Sequence, residues 1–184
     1  MRRNRQRVSG AVIPTCVAVL LSMLGNARAE IIDRIAVIVG DHLIKHSDIL
    51  NEIRVTAFLN QEKADFSPAE EKKAVNRLID QALIRRDIES GAYVEPDPAE
   101  ADKLLQQIKA RYGSDAAYRK ALAGLGITEA GLRERLEWQT EVLKFVEARF
   151  GANQAGQEVN QQFFSWLDET RKQTRVVFKE ESLK

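Results

Sequence analysis

Cysteine occurs once in the 184 residues, at Cys16, and histidine twice, at His42 and His46. Those two counts exclude a disulfide-stapled scaffold and a cysteine zinc site. His42 and His46 stand four apart, a spacing that holds metal when both lie on one helix, but the first helix starts at or after His46, and neither a cysteine nor an obvious third ligand accompanies them. No metal site and no cofactor are therefore expected. Glycine-rich phosphate loops followed by lysine are lacking, as is a GxGxxG after a strand, so nucleotide chemistry has no signature here. His46-Ser47-Asp48 contains the letters of a hydrolase triad, yet three sequence neighbours cannot converge as a triad does. With no site assembled, no enzyme activity is expected.

Long apolar runs are lacking too, except at the front. Met1 to Arg7 is basic, Val8 to Leu24 is apolar, and Ala27-Arg28-Ala29 precedes a charge-rich body. That three-part order is the pattern of a cleavable secretory signal peptide, with cleavage expected after Ala29 and export to the periplasm. Its apolar stretch is interrupted by Ser9, Gly10, Pro14 and Ser22, which argues against a membrane-spanning anchor of about 20 residues. No stable membrane insertion is expected after cleavage. Five of the 28 Lys and Arg residues and none of the 27 acids precede Glu30, so the body, residues 30–184, carries 23 bases against 27 acids. A mildly acidic body is not what nucleic-acid binding requires.

Ile31 to Ile44 reads as a β-hairpin: Ile35 to Val39 is rich in β-branched residues, Gly40-Asp41 supplies the turn, and Leu43-Ile44 resumes the apolar pattern. Helical periodicity follows from Ile49 onward. Ser67-Pro68-Ala69-Glu70 joins an N-cap, a proline at the first helical position and a glutamate able to close a capping box. A stripe of Val75, Leu78, Ile79, Ala82, Leu83 and Ile88 then runs to a stop at Gly91. Asp97-Pro98-Ala99-Glu100 repeats the same punctuation ahead of Leu104, Leu105 and Ile108. Ser114 caps a short helix through Leu122, and Thr128 opens the longest helix, to about Phe150. After a break at Gly151 to Gly156, a helix from about Glu158 to Lys172 leads into Arg175-Val176-Val177-Phe178, which alternates like a strand.

A lone terminal strand leaves its amides and carbonyls without partners, and the hairpin is the nearest sheet that could pair with it. The expected fold class is mostly α: a helical domain with a small β-sheet formed by the N-terminal hairpin and the C-terminal strand. The long helix carries two apolar stripes. One is Leu132, Leu136, Leu143, Val146 and Phe150; the other is Trp138, Val142 and Phe145. Two faces need two partners. The first packs on the preceding helices, and the second is either covered by Phe163, Phe164, Trp166 or Leu167 of the last helix or left open to bind another protein.

Several of these segments together resemble the SurA-like periplasmic chaperones. The resemblance runs through Asp33 to Asp41, Leu43 to Ile49, Leu78-Ile79-Asp80-Gln81-Ala82-Leu83-Ile84, Leu125 to Glu129 with Leu132, Arg133 and Leu136, and Phe164 to Leu167 with Thr170-Arg171. It spans essentially the whole of residues 30–184. The resemblance implies one module built from a helical part, residues 30–150, and a C-terminal helix and strand, residues 157–184, that holds unfolded outer-membrane proteins in extended form. Two departures stand out. Gly40 replaces the family's usual turn Asn, a change that any tight turn accepts. The parvulin-type prolyl isomerase domains that many members carry before the last helix have no counterpart, since only Gly151 to Gln157 lies there.

The expectation is thus an ATP-independent holdase for unfolded or outer-membrane proteins, with Trp138, Val142, Phe145 and Phe164 as the client-binding side chains. A protein related to the peptidyl-prolyl isomerases, or a targeting subunit for a separate one, is the second reading. A scaffold for a single envelope partner is the third. Promiscuity separates the first from the third. The glycine-bearing break at Gly151 to Gly156 would equally allow a homodimer that exchanges its last helix.

Overall fold

The computed structural model describes residues 33–91, 93, 97–151 and 156–184. The expected leader with its cleavage point after Ala29, Cys16, the start of the hairpin at Ile31 and most of the break after Gly151 lie outside these residues. Asp33–Lys184 is one compact unit. Its elements run β1 (Ile35–Val39), β2 (His42–Lys45), α1 (His46–Asn60), α2 (Pro68–Ser90), α3 (Pro98–Ala110), α4 (Asp115–Leu125), α5 (Glu129–Phe150), α6 (Gly156–Gln173), β3 (Val176–Phe178) and a terminal 3₁₀ turn, Glu181–Leu183. The described part of the chain is mostly helical, with one three-stranded antiparallel sheet.

The sheet order is β2-β1-β3. The hairpin and the terminal strand thus meet as expected, with Val37 opposite Phe178, Ile38 opposite Val177 and Val39 opposite Val176. Gly40 turns the hairpin at φ +62°, the left-handed region that glycine enters at least cost. Its N–H donates to the Arg175 carbonyl at 2.9 Å, so the same turn residue also fastens the last strand. Between Ile35 and Val37 the β1–β2 register shifts at a bulge.

Helix starts follow the capping residues. Ser114, Thr128 and Asp97 accept N–H groups of Ala117, Gly131 and Ala99 at 3.1, 3.0 and 2.9 Å. This satisfies donors that an N-terminal turn leaves free. α1 and α2 begin at His46 and Pro68 as expected, and only their capping hydrogen bonds differ. At α2 Ser67 receives the Glu70 N–H at 3.5 Å, but the reciprocal half of the box is absent: the Ser67 N–H goes to Asp65 at 2.9 Å, and Glu70 pairs with Lys73. At α1 the cap position is Lys45, whose N–H donates to Asp48 at 2.8 Å. Ser47 lies inside the helix, and its N–H and hydroxyl both donate to the Asp33 carboxylate. α4 also runs past Gly124 to Leu125 before Gly126 ends it at φ +67°.

Two apolar clusters form the core. The first unites the inner face of the sheet with α2, α5 and α6 through Val37, Val39, Ile44, Ile79, Leu83, Phe145, Phe150 and Leu167. The second joins the end of α1 to α3, α4 and the start of α5 through Phe58, Leu105, Tyr118, Leu122, Leu132 and Leu136. The first stripe of α5 is therefore divided. Leu132 and Leu136 enter the second cluster, whereas Phe150 enters the first and Val146 packs against it. Leu143 joins neither and is 67% exposed, against the expectation that the whole stripe is covered. The second cluster reaches no further along α5 than Leu136, two turns before Leu143.

Candidate client-binding surface

α6 lies against both α2 and α5. Its Phe163 and Trp166 meet Phe150 of α5 with ring centroids 5.9 and 5.8 Å apart, and Trp166 meets Phe145 at 5.4 Å. Tyr93 adds an edge-on contact to Phe145 at 5.1 Å. Arg149 caps this aromatic group, with its guanidinium 5.1 Å from the Trp166 ring centre and its charge paired to Asp87. Such contacts each contribute roughly 0.5–1.5 kcal/mol beyond burial alone, so the α5–α6 contact is a packed interior.

This placement decides where the four expected client-binding side chains stand. Phe145 is 1% exposed at the centre of the aromatic group, and Val142 is half-buried against the first cluster. Trp138 is buried, with the Arg85 guanidinium 4.1 Å from its ring centre. Phe164 alone stands open, at 62% exposure, although its neighbour Phe163 is tucked against Phe150. Consecutive helical residues point about 100° apart, so one phenylalanine of the pair meets α5 and the other faces solvent. The structure gathers Phe145, Phe150, Phe163 and Trp166. It leaves Phe164 and Leu143 as the large apolar side chains exposed on α6 and α5.

Trp138 also lines an open groove of about 430 Å³ between β2, α1, α2 and α5, together with Leu43, Leu78, Ala82, Arg85 and Arg135. Glu52, which sequence reasoning missed, also lines it. Glu52 of α1 is buried, and its carboxylate accepts from Arg77 Nε at 2.8 Å and pairs with Arg135 Nη1 at 2.9 Å. Gln81 Nε2 donates to it at 3.4 Å, and the Gln81 carbonyl accepts from Arg135 at 3.0 Å. α1, α2 and α5 are thereby tied at one carboxylate. A signal existed: Glu52 sits beside Ile53 in the stripe that begins at Ile49, where an acid needs a partner.

Among the described residues no three His, Cys, Asp or Glu side chains converge as a metal site would require. His42 lies on β2 and His46 at the start of α1, where its Nδ1 is 3.6 Å from Glu180. Among the same residues no helix is long and apolar enough to cross a membrane. Comparison of the chain with protein-family models and with curated proteins gave no match to either.

Proposed function

We propose that the chain is an ATP-independent holdase of the SurA-like kind, exported to the periplasm, that binds unfolded or outer-membrane protein segments on exposed apolar side chains. The observation that carries this reading is the exposure of Phe164 and Leu143 on two helices otherwise packed together. Exposed side chains of this size are available to apolar segments of another polypeptide, which is the support they give to this reading. Two segments of the family resemblance, around Asp80 and around Arg171, also meet through an ion pair of 2.6 Å. This agrees with one module built from both ends of the body.

The mechanism needs no bound nucleotide and no cofactor. Side-chain contacts of this type are weak and have little register, so many client segments bind and leave, and each bound segment is withdrawn from the pool free to aggregate. Release follows when the client buries its own apolar surface better elsewhere. The test is suppression of aggregation of an unfolded outer-membrane protein and of an unrelated unfolded protein by residues 30–184. The holdase suppresses both, and Phe164→Ser with Leu143→Ser weakens both while the helix content is unchanged. Binding of one envelope protein without suppression of either would replace this reading with a single-partner scaffold.

A further inference from the structure

Only one face of the sheet is packed on helices. Val37, Val39 and Ile44 point to the core. Side chains alternate along a strand, so Ile38 points the other way, directly opposite Leu43 on β2 and Val177 on β3. The bulge after Ile35 shifts the alternation by one residue and places Ile35, opposite Lys45, on that same outer face. Exposure agrees: Ile35 is 41% and Leu43 46% exposed, whereas Ala36 and Val37 are fully buried. The solvated face of an antiparallel sheet is ordinarily polar at these positions. Here an apolar row crosses all three strands.

The same alternation puts Lys45, Arg175 and Lys179 around this row, all exposed. No acid occurs in 35–39, 42–45 or 175–179. Among the described residues none of the three makes an ion pair within 4.0 Å, although Lys45 acts on Asp33 at longer range and Asp41 and Glu180 flank the strands. We propose that this outer sheet face docks on an anionic phospholipid surface, with Ile35, Ile38, Leu43 and Val177 against the headgroup and acyl boundary and Lys45, Arg175 and Lys179 among the phosphates.

Charge selects this occupant. A second copy of the same face would bring like charges together. An extended polypeptide is captured chiefly through strand edges or grooves, where main-chain groups are free, whereas β1 at the centre of this face has both sides paired. A flat apolar row rimmed by cations matches a planar anionic layer. The contact is adsorption, not insertion. It goes beyond the holdase reading and uses neither Phe164 nor Leu143.

The experiment is cosedimentation of residues 30–184 with phosphatidylglycerol-containing vesicles and with pure phosphatidylcholine vesicles. Binding is expected on the anionic vesicles alone, weakening as salt is raised. The triple variant Lys45→Gln, Arg175→Gln, Lys179→Gln should lose roughly a hundredfold in partitioning, since each basic residue near such a surface contributes about 1 kcal/mol. A second variant, Ile35→Ser with Leu43→Ser, should weaken binding while leaving the salt dependence in place. Circular dichroism checks that both remain folded, and aggregation suppression by the triple variant reads the holdase separately. The proposal is overturned by equal binding to both vesicle types, by no binding to either, or by a triple variant that binds as the parent does. Capture of an acidic, apolar peptide with vesicles ignored would also overturn it and assign the face to a polypeptide.

Discussion

Arg171 of α6 donates to the Asp80 carboxylate of α2 at 2.6 Å, and its guanidinium also reaches the side-chain and backbone oxygens of Asn76 at 3.0 Å each. One arginine thus fastens the C-terminal helix to a helix about 90 positions earlier. Burial nevertheless raises the Asp80 carboxyl above its ordinary value, with Arg171 pulling the other way. The ion pair offsets part of the cost of burying the acid and does not remove it.

The two partners should therefore respond unequally. Arg171→Ala is expected to lower stability by roughly 1–2 kcal/mol, since it strands a partly buried carboxylate and two oxygens. Asp80→Asn should cost less. With a folded pKa above the unfolded one, the folded state holds the Asp80 proton more tightly, so its contribution to stability declines as pH rises through that window. Urea unfolding of both variants from pH 3 to pH 7, in steps of about one unit, checks the order and the slope. A larger loss for Asp80→Asn than for Arg171→Ala would contradict this order.

At Glu52 the expected effect is larger. The carboxylate is buried, and Arg135 contributes two of its contacts, at 2.9 and 3.2 Å. Arg135→Met should destabilise by roughly 3 kcal/mol, because removing one partner leaves a buried charge with less compensation. Changing Glu52 to Gln in the Arg135→Met background should recover part of that loss. Chemical denaturation of the single and double variants measures the coupling, and strict additivity would argue against the network.

Tyr118 of α4 is fully buried between Phe58 and Tyr112, and its hydroxyl lies near the Glu129 carboxylate without a hydrogen bond of ordinary geometry. Burial, aided by the charge of Glu129, pushes this phenol up to about 12, so it stays neutral throughout the usual pH range. Tyr118→Phe should be neutral or stabilising by up to about 1 kcal/mol, because an unsatisfied polar group leaves the core. Tyr118→Ala should cost roughly 3–5 kcal/mol through the cavity it opens. Thermal unfolding of the two variants distinguishes the hydroxyl from the ring.

The Asp33 carboxyl is held below its ordinary value, first by the Ser47 hydroxyl, then by the Ser47 N–H and the positive charge of Lys45. A depressed folded pKa means that this link contributes above the unfolded pKa and is lost as pH falls through the folded one. Ser47→Ala should return the Asp33 titration toward its ordinary value, as followed by carboxyl NMR. An unchanged midpoint would show that the hydroxyl is not what holds it down.

The sheet was legible because a terminal strand cannot leave its backbone unpaired, and Ile35 to Val39 supplied the nearest apolar partner. The helix starts were legible at Ser114, Thr128 and Asp97, where a short polar side chain precedes the first helical turn. Burial of one face over another was not. Periodicity identifies the stripe containing Trp138 and Phe145, but the choice between an open and a covered stripe depends on α6, whose Phe163 and Trp166 pack on it from beyond the break. Phe163 and Phe164 are identical in type and adjacent, and only the docking angle of α6 separates the core residue from the exposed one. Glu52 was missed for a related reason: its compensating charges come from Arg77 and Arg135, 25 and 83 positions away.

The most direct measurement is light scattering of an unfolded outer-membrane protein diluted into residues 30–184, into the Phe164→Ser, Leu143→Ser variant of the same chain, and into buffer. Suppression by the parent chain is expected, with clear loss of suppression by the variant at equal helix content. Full suppression by the variant would remove the exposed α5–α6 side chains from client binding, and no suppression by the parent chain at several-fold excess would contradict the holdase itself.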